Sequence, residues 1–100
     1  MRVVWTPLAI QRAAEIAAYI ARDHPAAAVR WVDSLFERST ILSRFREVGS
    51  IVPEVGRSEI RELRHGSYRV IYRIEVRRVS ILTVRHGRRL LDPTEVDPEP

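Results

Sequence analysis

A chain of 100 residues has room for one domain and one modest core. It contains no cysteine, which excludes disulfides, thiolate nucleophiles and cysteine-ligated zinc. The formal net charge is +4 and all 17 basic residues are arginine, a planar, permanently charged fork suited to carboxylates and phosphates, so an acidic protein or a nucleic acid is the expected partner.

Arg2 to Trp5 reads as a short apolar strand. Thr6-Pro7 then marks a helix start, with Thr6 as N-cap and Pro7 where a missing N–H costs nothing. Leu8, Ala13, Ile16, Ala17 and Ile20 recur at helical spacing, predicting a helix from Pro7 to Arg22 with one buried stripe. Arg22-Asp23-His24-Pro25 breaks it, and Pro25 restarts a second helix. Ala28, Trp31, Val32, Leu35, Phe36, Ser39 and Leu42 carry that helix's apolar stripe to about Arg44, and so short a link makes the pair an antiparallel hairpin. Trp5, Trp31 and Phe36 are packing residues.

Residues 45–57 hold Gly49, Pro53 and Gly56 without periodicity. They predict a loop with one short extended piece near Ile51-Val52. Three strands follow, at about Glu59–Arg64, Ser67–Val76 and Val79–Arg85, with His65-Gly66 and Val76-Arg77-Arg78 as turns. In the middle strand Tyr68, Val70, Tyr72 and Ile74 share one face, and Arg69, Ile71, Arg73 and Glu75 the other. The first face is expected on a core, while the second is expected to be open and studded with guanidinium groups. The residues this surface and its margins would offer a partner are Arg61, Arg69, Arg73, Arg85, Arg88 and Arg89. The segment from Leu91 on, LDPTEVDPEP, reads as extended or frayed.

The fold class is therefore α+β: two layers in the order β-α-α-β-β-β, a helical hairpin packed on a small antiparallel sheet, with the first strand at the sheet's edge. Residues 1–91 are expected to form a single domain and 92–100 a Pro- and acid-rich tail. No stretch approaches the roughly 20 apolar residues of a membrane span. The opening lacks a secretory apolar region, so a cytoplasmic protein is expected. The three histidines stand in unrelated contexts and suggest no metal site.

In sequence the chain resembles the ParE/RelE superfamily of bacterial type II toxins, and more closely its ParE-like branch. The resemblance runs over about residues 2–91 and rests on Val4-Trp5-Thr6-Pro7, Tyr19 to Pro25, Val52-Pro53-Glu54, Arg61-Glu62-Leu63, Tyr68 to Arg73 and His86-Gly87-Arg88-Arg89. It implies a cognate antitoxin whose C-terminal segment wraps and neutralises the toxin. For ParE-like members it implies poisoning of DNA gyrase. For RelE-like members it implies ribosome-dependent cleavage of mRNA.

If this chain were such a ribonuclease, the resemblance would assign Arg69, His86 and Arg89 to the site. Glu62 would then put a negative charge near the scissile phosphate, and the segment after Arg89 offers no tyrosine or histidine as a late general acid. Arginine is also a poor base, with a pKa above about 12. These gaps favour a toxin that acts by binding protein, with no cofactor. A non-toxic nucleic-acid-binding module is a further reading, resting on charge alone.

Overall fold

The computed structural model describes residues 1–96. Strand β1 (Arg2–Trp5) leads into helix α1 (Pro7–Ala21), which is followed by α2 (Pro25–Ser39). The start of α1 is as expected: Thr6 Oγ1 accepts from the Ala9 N–H at 3.2 Å and donates to the Leu82 carbonyl, which ties the cap to the sheet. Residues 22–24 join the two helices, and Pro25 occupies the first helical position of α2.

The second helix ends earlier than its apolar spacing suggests. After Ser39 the chain tightens into a 3-10 turn, Thr40–Ser43. Three hydroxyls account for this. Ser39, Thr40 and Ser43 each donate to the carbonyl three residues back, at 2.8, 2.7 and 2.8 Å, and such back-bonding competes with the α-helical ladder.

The sheet holds five strands in the order β1-β5-β4-β3-β2, adding β2 (Ser50–Ile51), β3 (Ile60–His65), β4 (Tyr68–Ile74) and β5 (Arg78–His86). It is antiparallel except at one place: β1 lies parallel to β5, with Arg2 beside Arg78 and Trp5 beside Ile81. Gly66 makes the β3–β4 turn at φ +58°, a backbone conformation open mainly to glycine. In β5 the register slips by one, because Ile71 pairs with Thr83 but Tyr72 pairs with Ile81. The extra residue, Leu82, is a β-bulge. It lets Val79, Ile81 and Val84 all join the same core despite their odd and even positions.

The two faces of the sheet are covered differently. The helices bury Leu35, Leu63, Val70, Tyr72, Ile81 and their neighbours in the main core. Leu35 is wholly buried, which stabilises the fold by about 2 kcal/mol for that side chain alone. Trp5 and Phe36 pack with ring centres 4.6 Å apart at its margin.

On the far face Val52, Ile60, Ile71, Leu91 and Val96 make a second, smaller cluster. Two of these belong to the C-terminal segment. That segment was expected to be extended, but Pro93–Val96 form one helical turn, α3, whose Glu95 and Val96 are buried. Asp92 starts the turn by accepting from the Thr94 N–H and hydroxyl. Residues 97–100 of the sequence-defined tail lie outside the described residues.

Candidate functional site: a clasped arginine face, a cationic groove and an apolar hollow

The alternation in β4 places its side chains as the sequence predicts: Tyr68, Val70, Tyr72 and Ile74 pack on the helix side. The opposite face is not open. Arg69 retains only 4% of its exposure. Its guanidinium binds Glu54 through two bonds of 2.8 Å, pairs with Glu62 through Nε, and donates to the Arg89 carbonyl at 3.2 Å. The Glu54 carboxylate also accepts from the Leu91 N–H at 2.9 Å. One arginine therefore fastens the loop after β2, strand β3 and the C-terminal segment to the middle of the sheet.

The electrostatics follow from this geometry. The Arg69 guanidinium, helped by the Leu91 N–H, holds the Glu54 carboxyl at about 2 against desolvation. The two carboxylates, Glu54 first, raise Arg69 above its already high value. Four of its five N–H donors are taken and two carboxylates answer its charge, which disfavours a phosphate or a foreign carboxylate there.

The other candidate arginines divide into three groups. Arg73 and Arg85 share the far face with Arg69, since Arg69 lies opposite Arg85 and Arg73 opposite Ser80. Both are half-buried by the C-terminal segment. Arg73 donates to the Val96 carbonyl at 2.9 Å, and Arg85 donates to the Leu90 carbonyl and stands 3.8 Å from Glu95. Glu95 also accepts from Arg12 of α1 at 2.9 Å and from Thr83 at 3.0 Å, and this locks α3 down. Arg61, by contrast, lies opposite Tyr72 and belongs to the helix side at the sheet margin, where it donates to the carbonyls of Ser58 and Gly49. Arg88 and Arg89 follow β5 and are exposed.

The expected surface of six arginines is thus corrected. Arg69 is interior, Arg73 and Arg85 are clasped, Arg61 braces a loop, and only Arg88 and Arg89 stand in water. The set Arg69, His86 and Arg89 does not converge either. His86 lies opposite Tyr68, whose ring packs against it with centroids 5.5 Å apart, so its imidazole is on the helix side while Arg69 is on the far side. Its Nδ1 accepts from the Arg88 N–H at 3.2 Å, closing the turn after β5.

Sequence reasoning singled out Glu62 but missed Glu54 and Glu95 as the partners that matter. Glu54 lies 15 residues from Arg69 in an aperiodic loop, and Glu95 lies 83 residues from Arg12, so no local pattern announces either pairing.

Two open depressions remain. A groove runs between α1 and the end of β5, with Ile16, Tyr19, Tyr68 and Val84 as its apolar walls. Arg12, Arg85 and Arg89 bring positive charge to its rim, where Glu15 pairs with Arg12 and His86 completes the edge. Tyr19 is 68% exposed, far more than an aromatic ring in a filled site. At the other end of the strands Phe45, Val48 and the Met1 side chain line a shallow hollow with Arg44, Arg46 and Glu47. Among the described residues no group of three His, Cys, Asp or Glu could hold a metal ion, and no helix is long and apolar enough to cross a membrane.

Fold and surface together define a class: a small basic α+β protein of two layers, whose open grooves suit the side of a macromolecule rather than an enclosed metabolite. Comparison with known proteins is specific. The family model described as "ParE toxin of type II toxin-antitoxin system, parDE" matches residues 3–91, and the chain belongs to that family. Among solved structures, one titled "Chromosomal ParDE TA system from P. aeruginosa" superposes with a TM-score of 0.72 at 19% identity. The match covers 86% of this chain and 95% of that one, and at that identity it is a likeness of fold. No curated protein matches the chain.

Proposed function

We propose that this toxin acts in the cytoplasm by binding DNA gyrase, and that a cognate antitoxin neutralises it by laying an acidic amphipathic segment on its surface. The toxin unit spans residues 1–91, and residues 92–96 are a clasp on its far face. The observation that carries a binding mode of action is the separation of the ribonuclease candidates. Arg69 is saturated by two carboxylates on one face of the sheet, and His86 sits on the other. Phosphodiester cleavage needs a base, an acid and positive charge around one phosphate, and these side chains do not surround a common point.

The groove beside α1 supports the antitoxin half of the reading. Its apolar walls and arginine rim suit a segment that folds on binding, with aliphatic side chains on one face and carboxylates on the other.

The test uses purified toxin with purified gyrase. Inhibited supercoiling or trapped cleavage complexes, relieved by the antitoxin encoded beside it, is the expected result. Cleavage of ribosome-bound mRNA, lost on His86→Ala, would replace this reading with the ribonuclease one. His86, Arg85 and Arg89 on a single groove are the observation that would then matter.

A further inference from the structure

The loop between the 3-10 turn and β2 presents apolar side chains to water on a backbone that cannot move freely. Phe45 is 60% exposed and Val48 is 50% exposed. An exposed aromatic on a floppy loop would mean little, but here the loop is held from inside the protein. The hydroxyl of Tyr72, whose ring is fully buried, donates to the Arg46 carbonyl at 2.7 Å and accepts from the Gly49 N–H at 3.0 Å. Arg61 adds a bond of 3.0 Å to the Gly49 carbonyl. At Gly49 a Cβ would lie 2.4 Å from the Glu62 carbonyl oxygen and 2.7 Å from the Tyr72 hydroxyl, so a side chain there would push the loop off its seat. The core thus sets where Phe45 and Val48 stand.

Around them the charge is mostly positive. Arg44, Arg46 and Glu47 line the same hollow, and neither arginine has a carboxylate within ion-pair distance among the described residues. The hollow is short and open, lined by one loop and the Met1 side chain, so it fits side chains presented by a folded surface rather than a long segment. It lies toward the end of the sheet where β1 and β5 begin, whereas the cationic groove lies where β5 ends.

We propose that this hollow is the surface with which the toxin grips its protein target, receiving an apolar side chain flanked by carboxylates on that target. The assignment rests on the gyrase reading above and adds the place of contact. A preorganised patch loses little conformational freedom on docking, which suits a partner that is already folded. The long groove beside α1 suits an antitoxin segment that orders as it binds. The two partners therefore use opposite ends of the sheet.

The experiment measures binding of the full chain to purified gyrase heterotetramer, together with its effect on supercoiling. In parallel it measures affinity for the purified antitoxin and thermal stability. Phe45→Ser with Val48→Ser is expected to weaken gyrase binding by about 30-fold, the scale of a lost aromatic anchor. Antitoxin affinity and melting temperature should stay at the wild-type values, because both side chains are exposed.

A second variant, Arg44→Glu with Arg46→Glu, is expected to weaken binding about tenfold, mainly by slowing association. Val76→Ser, at a site 92% exposed on the β4–β5 turn, serves as the control and should change nothing. Wild-type gyrase binding by both double variants would overturn the assignment. An equal loss of antitoxin affinity would also overturn it, making the hollow the antitoxin's seat. A wild-type chain that neither binds nor inhibits gyrase removes the target itself and the assignment with it. Inhibition that survives the variants leaves the target standing and removes only the hollow.

Discussion

The two faces of the sheet are closed by different physics. On the helix side, apolar area does the work: Leu35, Leu42, Tyr72, Val79 and Ile81 are fully buried, and the Tyr72 hydroxyl shapes a loop from within that core. On the far side a five-residue apolar cluster is too small to hold two loops, and ion pairs complete the closure at Arg69–Glu54, Arg69–Glu62 and Arg12–Glu95. Hydrophobic burial is insensitive to pH and direction, while a guanidinium clamp is sensitive to both. The helix side therefore sets stability, and the far side sets the position of the chain's irregular parts.

The sharpest way to break this contrast is to excise one apolar side chain from each face. Ile81→Ala on the helix side should cost about 4 kcal/mol, and Leu91→Ala on the far side about 2 kcal/mol, because the smaller cluster can collapse onto the gap. Chemical denaturation of the two variants reads both values, and equal losses would erase the distinction.

Next in size is Arg69→Met, expected to cost about 3 kcal/mol by leaving Glu54 and Glu62 with unmatched charge. Adding Glu54→Gln and Glu62→Gln to it should restore most of the loss, since a pair removed whole is nearly neutral. If the triple variant is no more stable than Arg69→Met, the clamp is not electrostatic.

The smallest effect is in pH. The Glu54 carboxyl titrates near 2 in the folded protein against an ordinary 4.5, so its contribution is fully present above that ordinary value and fades as pH falls from 4.5 toward 2. Melting temperature should drop as pH falls from about 4.5 toward 2, beyond the earlier decline that the desolvated His65 imidazole begins near 6.5, and Glu54→Gln should shallow the lower drop.

Much of this was legible before any coordinate. The helices declare themselves through Thr6-Pro7, Pro25 and stripes at a period of 3.6, and β4 declares both its faces through strict alternation. Those signals are local, and local geometry obeys them. What stayed hidden depends on distant residues. Alternation in β4 suggests an open arginine face, but Arg69 meets its acids once the loop carrying Glu54 folds over it. Residues 93–96 read as extended because Pro and acidic residues suggest it, whereas Val96 finds an apolar site on Ile60 and Ile71 that composition cannot foresee. The bulge at Leu82 leaves no mark in the sequence beyond Val79, Ile81 and Val84 falling out of step. The hollow at Phe45 and Val48 leaves no sequence signal, because exposure of apolar residues in a loop has no pattern.

The parallel pairing of β1 with β5 has a consequence in time as well as space. Thr6 and Leu82, bonded across that junction, are 76 residues apart. Ribosomes add about 5–20 residues per second, so the opening strand waits several seconds for its neighbour to be made. A chain built this way cannot complete its sheet until β5 has been made, and Arg2–Trp5 lack their strand partner over that interval.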